Sequence, residues 1–255
     1  MLRFPNAKIN LGLFITRRRE DGYHDLETVF YPVHTLRDAL EIVPAAGREG
    51  ELHLTGLPVG GDKGGNLVWR AYILLKERYP QSVPALDIYL HKAIPMGAGL
   101  GGGSADAAFL LQMLNDYCEI GLDGATLEAF ALQLGSDCPF FIRNTPQYAR
   151  GRGEIMEPIA LDLSPYRIEV VCPEVHVSTR AAFSRVMPKP APFDLRTLPQ
   201  VPVSEWREVL RNDFEESVFT QFPEIKAIKE RMYGEGAVYA SMSGSGSAVF
   251  GVFGA

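Results

Sequence analysis

Cysteine is scarce in this 255-residue chain: Cys118, Cys138 and Cys172 stand far apart. Three isolated cysteines exclude a disulfide framework and provide no C-x-x-C metal spacing. A reducing, cytoplasmic setting is the expectation. Basic charge is also in deficit. Lys and Arg total 25 against 31 Asp and Glu, giving a net charge of −6, so a nucleic-acid surface with its basic face is not expected. No apolar run reaches the roughly 18 residues of a membrane span. The opening MLRFPNAKIN has no charged segment followed by an apolar one, so no signal peptide is expected. One basic cluster, Arg17-Arg18-Arg19, runs straight into Glu20, Asp21 and Gly22. It reads as a solvated hairpin tip.

What is present is an ordinary globular composition, 46% hydrophobic and 22% charged, enough for one large domain or two small ones. AKINLGLFITRR and LETVFYPV flank REDGYHD and read as a β-hairpin with a long loop. DALEIV and ELHLTG read as strands, and Asn66 opens a helix, NLVWRAYILLKERY, with Leu67, Ala71, Leu74 and Leu75 at helical spacing. In ALDIYLHKAI, Leu86, Ile88 and Leu90 alternate with Asp87, Tyr89 and His91, which predicts a strand covered on one face. SADAAFLLQMLNDY and ATLEAFALQLG predict helices, the second stopped by Gly135 as a C-cap. CPFFI and YRIEVVCP read as strands, SEWREVLRND and PEIKAIKERMY as helices, and AVYASM and SAVFGVF as a closing strand pair around Ser-Gly-Ser-Gly. Prolines 188, 190, 192, 199 and 202 mark a loop, and a soft boundary is placed just upstream, near Pro158 to Ser164. This mixture predicts an α+β fold with mostly antiparallel sheets, without the regular βαβ alternation of a doubly wound one.

The most informative stretch is PMGAGLGGGSADAA, residues 95–108. A backbone this bare brings its N–H groups close to a ligand, and the helix that follows adds its own free N–H groups and dipole. Together they make an anion site, most often for phosphate. Ser104 stands at the helix start, able to cap the backbone or reach phosphate or Mg2+. Gly97, Gly99 and Gly102 formally match G-x-G-x-x-G, but the preceding strand is half exposed and no βαβ series follows, unlike a dinucleotide fold. A P-loop needs Gly-Lys-Ser/Thr, and here Lys92 precedes the loop. A protein kinase needs His-Arg-Asp and Asp-Phe-Gly, and neither occurs.

The same stretch resembles the ATP-binding motif of the GHMP kinases. ASMSGSGSAVFGVF resembles that superfamily's C-terminal glycine motif. AKINLGLFITRRREDGYHDLETVFYPV, together with LGSDCPFFI and the following ARGRGE, resembles the member that acts on 4-diphosphocytidyl-2-C-methyl-D-erythritol. These motifs run from residue 5 to residue 253. The resemblance implies a two-lobed GHMP kinase fold with the active site in the cleft between lobes. It divides the chain into an N-terminal ATP-binding domain, 1–158, and a C-terminal domain, 159–255. The implied reaction is ATP-dependent phosphorylation of that substrate's 2-hydroxyl, in the non-mevalonate isoprenoid route. The chain is shorter than the family pattern around residues 186–204.

By the same resemblance Asp137 is the base that takes the hydroxyl proton and Lys8 the active-site lysine. From the residues alone Asp137 is as readily a turn or capping residue. Pro95, Met96, Gly97, Ala98, Gly99, Leu100, Gly101, Gly102, Gly103, Ser104 and Ala105 hold ATP, with Asn66 and Lys92. Tyr23, His24 and Phe183 hold the cytosine ring, Tyr23 and Phe183 on its two faces, and Asn10 and Thr179 touch the substrate. Mg2+ is expected on the nucleotide phosphates, with Ser104 as a candidate ligand and no metal site built from protein alone. Ser136, Cys138, Ser245 and Ser247 depart from the family's usual residues. Cys138 reads as a buried small hydrophobe. Partners are the small-molecule substrate and ATP, with no nucleic acid or membrane, in a monomer or weak homodimer. A mevalonate-type relative and a non-catalytic nucleotide-binding protein are the alternatives.

Overall fold

A computed structural model describes residues 1–45 and 49–254; the last residue of the expected 159–255 domain, Ala255, lies outside the described residues. The chain divides into two compact units, each assembled from separate stretches. The first unit comprises Met1–Ala7, Val33–Met96 and Gly101–Asn144, and the second Lys8–Pro32, Gly97–Leu100 and Thr145–Ala255.

The first unit holds a four-stranded sheet of β1 (Leu2–Arg3), β4 (Ala39–Pro44), β5 (Leu52–Gly56) and β6 (Leu86–Lys92), in the order β1-β4-β6-β5. Both pairings of β4 are antiparallel, and β5 runs parallel to β6. In β6 the expected alternation holds: Leu86, Ile88 and Leu90 are buried, Tyr89 and His91 exposed. The buried face packs on α1 (Leu67–Arg78), α2 (Gly102–Tyr117) and α3 (Gly124–Leu134) in one core with Val68, Tyr72, Leu75, Leu110 and Leu114. In α1 the fully buried stripe is Val68, Ala71, Tyr72 and Leu75, with Leu67 and Leu74 at its margin.

CPFFI is not a strand. It forms α4 (Cys138–Arg143), with a proline in the first turn and Asn144 in the left-handed conformation closing it. A short apolar run has no period that separates strand from helix, and the proline is the cue that favours helix. Gly135 does end α3, but with extended backbone at φ 176, not as a left-handed cap.

The second unit holds two sheets. The hairpin β2 (Asn6–Arg18) and β3 (His24–Arg37) continues into β7 (Gln147–Gly151) and β8 (Ile155–Pro158), in the order β2-β3-β7-β8. The three strands β9 (Tyr166–Val171), β10 (Ala237–Met242) and β11 (Val249–Gly254) form an antiparallel sheet with β11 in the middle. Helices α5 (Thr179–Phe183), α6 (Trp206–Val209), α7 (Glu215–Gln221) and α8 (Pro223–Gly234) complete the unit. Leu13 and Ile15 of β2 share a core with Phe214, Val218, Ile225, Met242 and Val249. SEWREVLRND is helical only as far as Val209. Beyond it the backbone runs beside β2, with Leu13 N–H donating to Arg211 O and Asp213 N–H to Leu13 O, both at 2.9 Å. The proline-rich loop contains a 3-10 turn at Leu195–Gln200, which buries Leu195 and Leu198.

Candidate active site

The glycine loop begins where β6 ends on Lys92, a fully buried lysine. Its ammonium hydrogen-bonds Asp38 and, at 2.7 Å, Asp106 Oδ2. Asp38 Oδ1 also accepts the N–H groups of Ala93 and Ile94 at 2.6 and 2.8 Å, which fixes the approach to the loop. Both carboxyl oxygens of Asp38 thus have donors. Asp106 Oδ1, by contrast, is buried without a hydrogen-bond partner. Burial, outweighing attraction to Lys92, pushes the Asp106 carboxyl up to about 8.

Beyond Met96 the backbone enters the left-handed region at Gly97, Gly99 and Gly101, with φ of 68, 79 and 71. Gly99 has a second reason to be glycine: a Cβ there would stand 2.0 Å from the Ser243 carbonyl oxygen. Three consecutive carbonyls of this loop are spent on protein donors. Ala98 O accepts from Ala248 N–H at 3.1 Å, Gly99 O from Ser243 Oγ at 2.9 Å and Leu100 O from Lys8 N–H at 2.9 Å. Acceptors that would repel an anion are thus turned onto the protein. Gly101 then caps α2, so no cap side chain is spent on the first N–H groups of the helix. Ser104 lies in the first turn, not at the cap, which removes capping from the two roles expected for it.

Within the first unit, Asn66, Leu67, Met96 and Gly103 line one pocket together with Lys92 and Asp106. Three of the expected nucleotide contacts, Asn66, Lys92 and Met96, thus meet there. Asn66 already has one structural task, since its side chain accepts from Val68 N–H at the head of α1. Pro95 and Gly101–Ala105 belong to the same unit, as does Asp137. Asp137 precedes α4 in helical backbone geometry and makes no side-chain cap bond, which removes the capping role as its explanation. Next to it Cys138 is buried, and that burial pushes its thiol up to about 11 while a hydrogen bond from Ser104 works the other way. Such a thiol is inert packing at neutral pH.

The second unit holds Gly97–Leu100, Lys8, Asn10, Tyr23, His24, Thr179 and Phe183. Lys8 Nζ donates to Asn10 Oδ1 at 2.7 Å and lies 4.8 Å from the centre of the Phe30 ring. Asn10 Nδ2 donates to Thr28 Oγ1 at 3.0 Å, and Thr28 donates to Gly12 O at 2.5 Å. His24 stacks on Phe183 with ring centres 4.6 Å apart. Phe183 also meets Phe214 edge-on. Burial, and then the nearby Arg18, hold the His24 imidazole below its ordinary range. Tyr23 is 57% exposed, with the Arg152 guanidinium 5.0 Å above its ring. Thr179 is the first residue of α5, exposed and capped by Ser178.

Sequence reasoning missed Asp38, Asp106, Thr28, Ser243 and Asn212. Asn212 Nδ2 donates to both Met242 O and Gly244 O at 2.8 Å, clamping the second glycine motif, and its Oδ1 accepts from Phe214 N–H. Each serves at least one group 14 or more residues away along the chain. The only local cue was polarity at positions that alternation assigns to the interior, as at Thr28.

Two family models match the chain: GHMP kinases N terminal domain over residues 66–144 and GHMP kinases C terminal over 202–254. The chain is 52% identical to the 4-diphosphocytidyl-2-C-methyl-D-erythritol kinase of Bacteroides fragilis (strain YCH46), covering 99% of this chain and 92% of that one. It is also 52% identical to the enzyme of the same name from Parabacteroides distasonis, with the same coverage. Among solved structures, a 4-(cytidine 5'-diphospho)-2C-methyl-D-erythritol kinase superposes with a TM-score of 0.82 at 37% identity, covering 99% of this chain and 90% of that one. The Methanococcus jannaschii mevalonate kinase, at 12% identity and a TM-score of 0.71 over 99% of this chain and 90% of its own, shares the fold.

Proposed function

The chain belongs to the GHMP kinases, and on that premise we propose that it transfers the γ-phosphoryl group of ATP to the 2-hydroxyl of 4-diphosphocytidyl-2-C-methyl-D-erythritol, in the non-mevalonate isoprenoid route. The geometric observation that carries the kinase reading is the glycine loop: three consecutive carbonyls are held by protein donors, and the helix after it starts on a glycine cap. The relatives' shared name carries the choice of acceptor. The division at 158/159 is proposed as the boundary between family modules; the two family models fall on either side of it. The three free cysteines support a reducing, cytoplasmic setting.

In this reading residues 95–105 hold the triphosphate, while Asn66, Met96 and the Lys92 region form the wall for the nucleoside. Asp137 accepts the proton of the acceptor hydroxyl. Its backbone is held between the extended Gly135 and the proline of the first turn of α4, so the carboxylate is delivered at a fixed position. Lys8, oriented by Asn10, balances negative charge that develops on the transferring group. Mg2+ would ride on the nucleotide phosphates and neutralise part of that charge. Ser104, in the first turn of α2, is the residue offered to hold it. On the acceptor side the aromatic pair His24 and Phe183, with Tyr23, takes the cytosine. A neutral imidazole both donates and accepts hydrogen bonds, as recognition of a base edge requires.

Protein-dependent ADP release, measured with 4-diphosphocytidyl-2-C-methyl-D-erythritol, mevalonate, homoserine and galactose, tests the assignment. Turnover is expected with the cytidylated acceptor alone, and turnover with mevalonate instead would replace it. Asp137→Asn is expected to lower kcat by at least about 100-fold with ATP affinity changed less than about threefold.

A further inference from the structure

Asn10 is an amide with an acceptor end and a donor end, and only one orientation serves Lys8. An ammonium has donors only, so Asn10 must present Oδ1 to it, as it does at 2.7 Å. The other end, Nδ2, meets the hydroxyl of Thr28 at 3.0 Å. That hydroxyl has one proton, and it goes to the Gly12 carbonyl at 2.5 Å. A carbonyl only accepts, so toward Asn10 the Thr28 oxygen is an acceptor. The chain of bonds from Lys8 through Asn10 and Thr28 to Gly12 therefore runs one way, fixed by a pure donor at one end and a pure acceptor at the other. Turning the amide over would set Nδ2 against the Lys8 ammonium and Oδ1 against the lone pairs of Thr28. Lys8, Asn10 and Thr28 are 4%, 3% and 0% exposed, so water is not at hand to repair either mismatch.

We propose that Thr28 is a positioning residue for the phosphoryl transfer: its hydroxyl sets the direction of the Asn10 amide and, through it, the place of the Lys8 ammonium. This rests on the reading of Lys8 as a group acting at the transferring phosphoryl. Gly12 is part of the device. It takes a φ of 66 within β2, and its carbonyl is met by a side chain of the neighbouring strand.

The test compares Thr28→Val, which keeps shape but lacks the hydroxyl, with Thr28→Ser, which restores it. Thr28→Val is expected to lower kcat about 10- to 100-fold with KM for ATP within about twofold, and Thr28→Ser to stay within about threefold of the parent kcat. A general packing defect would instead penalise Ser, which loses the methyl, as much as Val. Lys8→Ala is measured in parallel. If the parent turns over the cytidylated acceptor, Lys8→Ala does not, and Thr28→Val matches the parent, this inference is overturned while the functional reading stands. If Lys8→Ala retains full activity, the reading beneath it fails instead. A measurement on the parent protein holds even should Thr28→Val not fold. With asparagine side chains labelled in ¹⁵N, the Asn10 amide protons are expected to exchange slowly with solvent, and rapid exchange would overturn the proposal.

Discussion

Asp106 is a carboxyl group with one oxygen on Lys92 and the other on nothing. Its neighbour Asp38, by contrast, takes three donors across its two oxygens. Asp106 therefore keeps its proton in the fold up to about pH 8, against 3.8 for an ordinary aspartate. Between those values the folded chain binds a proton that the unfolded chain has lost. The stability contributed by this group is thus complete below about pH 4 and falls as pH rises toward 8. Asp106→Asn, which keeps an acceptor for Lys92 and cannot ionise, is expected to remove that slope. Relative to the variant, the parent should lose about 4 kcal/mol between pH 5 and pH 9 in urea unfolding. A difference that does not change with pH would show that Asp106 is ionised throughout.

At the scale of elements, what was legible in the sequence is what is local. The hairpin, the glycine loop and the β6 alternation are each written within about 30 residues, and each formed where expected. CPFFI reads as a strand because five apolar residues carry no period, and Ser104 falls inside the first turn because α2 begins earlier than expected, on the glycines themselves. The clamp on the second glycine motif was illegible for a different reason. Asn212 lies 30 and 32 residues before the carbonyls it holds, and nothing in RND announces a partner. Its amide serves three buried backbone groups at once, and leaving buried polar groups unpaired costs about 1–3 kcal/mol each. Asn212→Asp, which can still accept from Phe214 N–H but cannot donate to Met242 O and Gly244 O, is expected to lower Tm by roughly 5–15 °C. Thermal unfolding followed by circular dichroism checks this, and an unchanged Tm would remove the clamp from the account.

For the whole molecule, the two compact units and the sequence order do not coincide. Leu13 and Ile15 fill the same core as β10, β11, α7 and α8. Ile15 N–H also donates to Asp213 Oδ2, and Lys189 N–H to Ile15 O. A fragment of residues 159–255 would lack those two side chains and the strand beside its Arg211–Asp213 segment. Expressed alone it is expected to show no cooperative unfolding transition, and to regain one when co-expressed with residues 1–158. A sharp melt of the fragment by itself would show that the C-terminal family module folds without β2.

The contact between the two glycine motifs also has a bearing on how the protein is made. Gly99 O and Ser243 Oγ are 144 positions apart, so the glycine loop is synthesised well before two of the three donors that hold its carbonyls, Ser243 Oγ and Ala248 N–H. Until then only the Lys8 N–H is at hand, and it holds one carbonyl of the loop, that of Leu100. The loop's carbonyls are thus all held only after β10 and the residues up to Ala248 have been made.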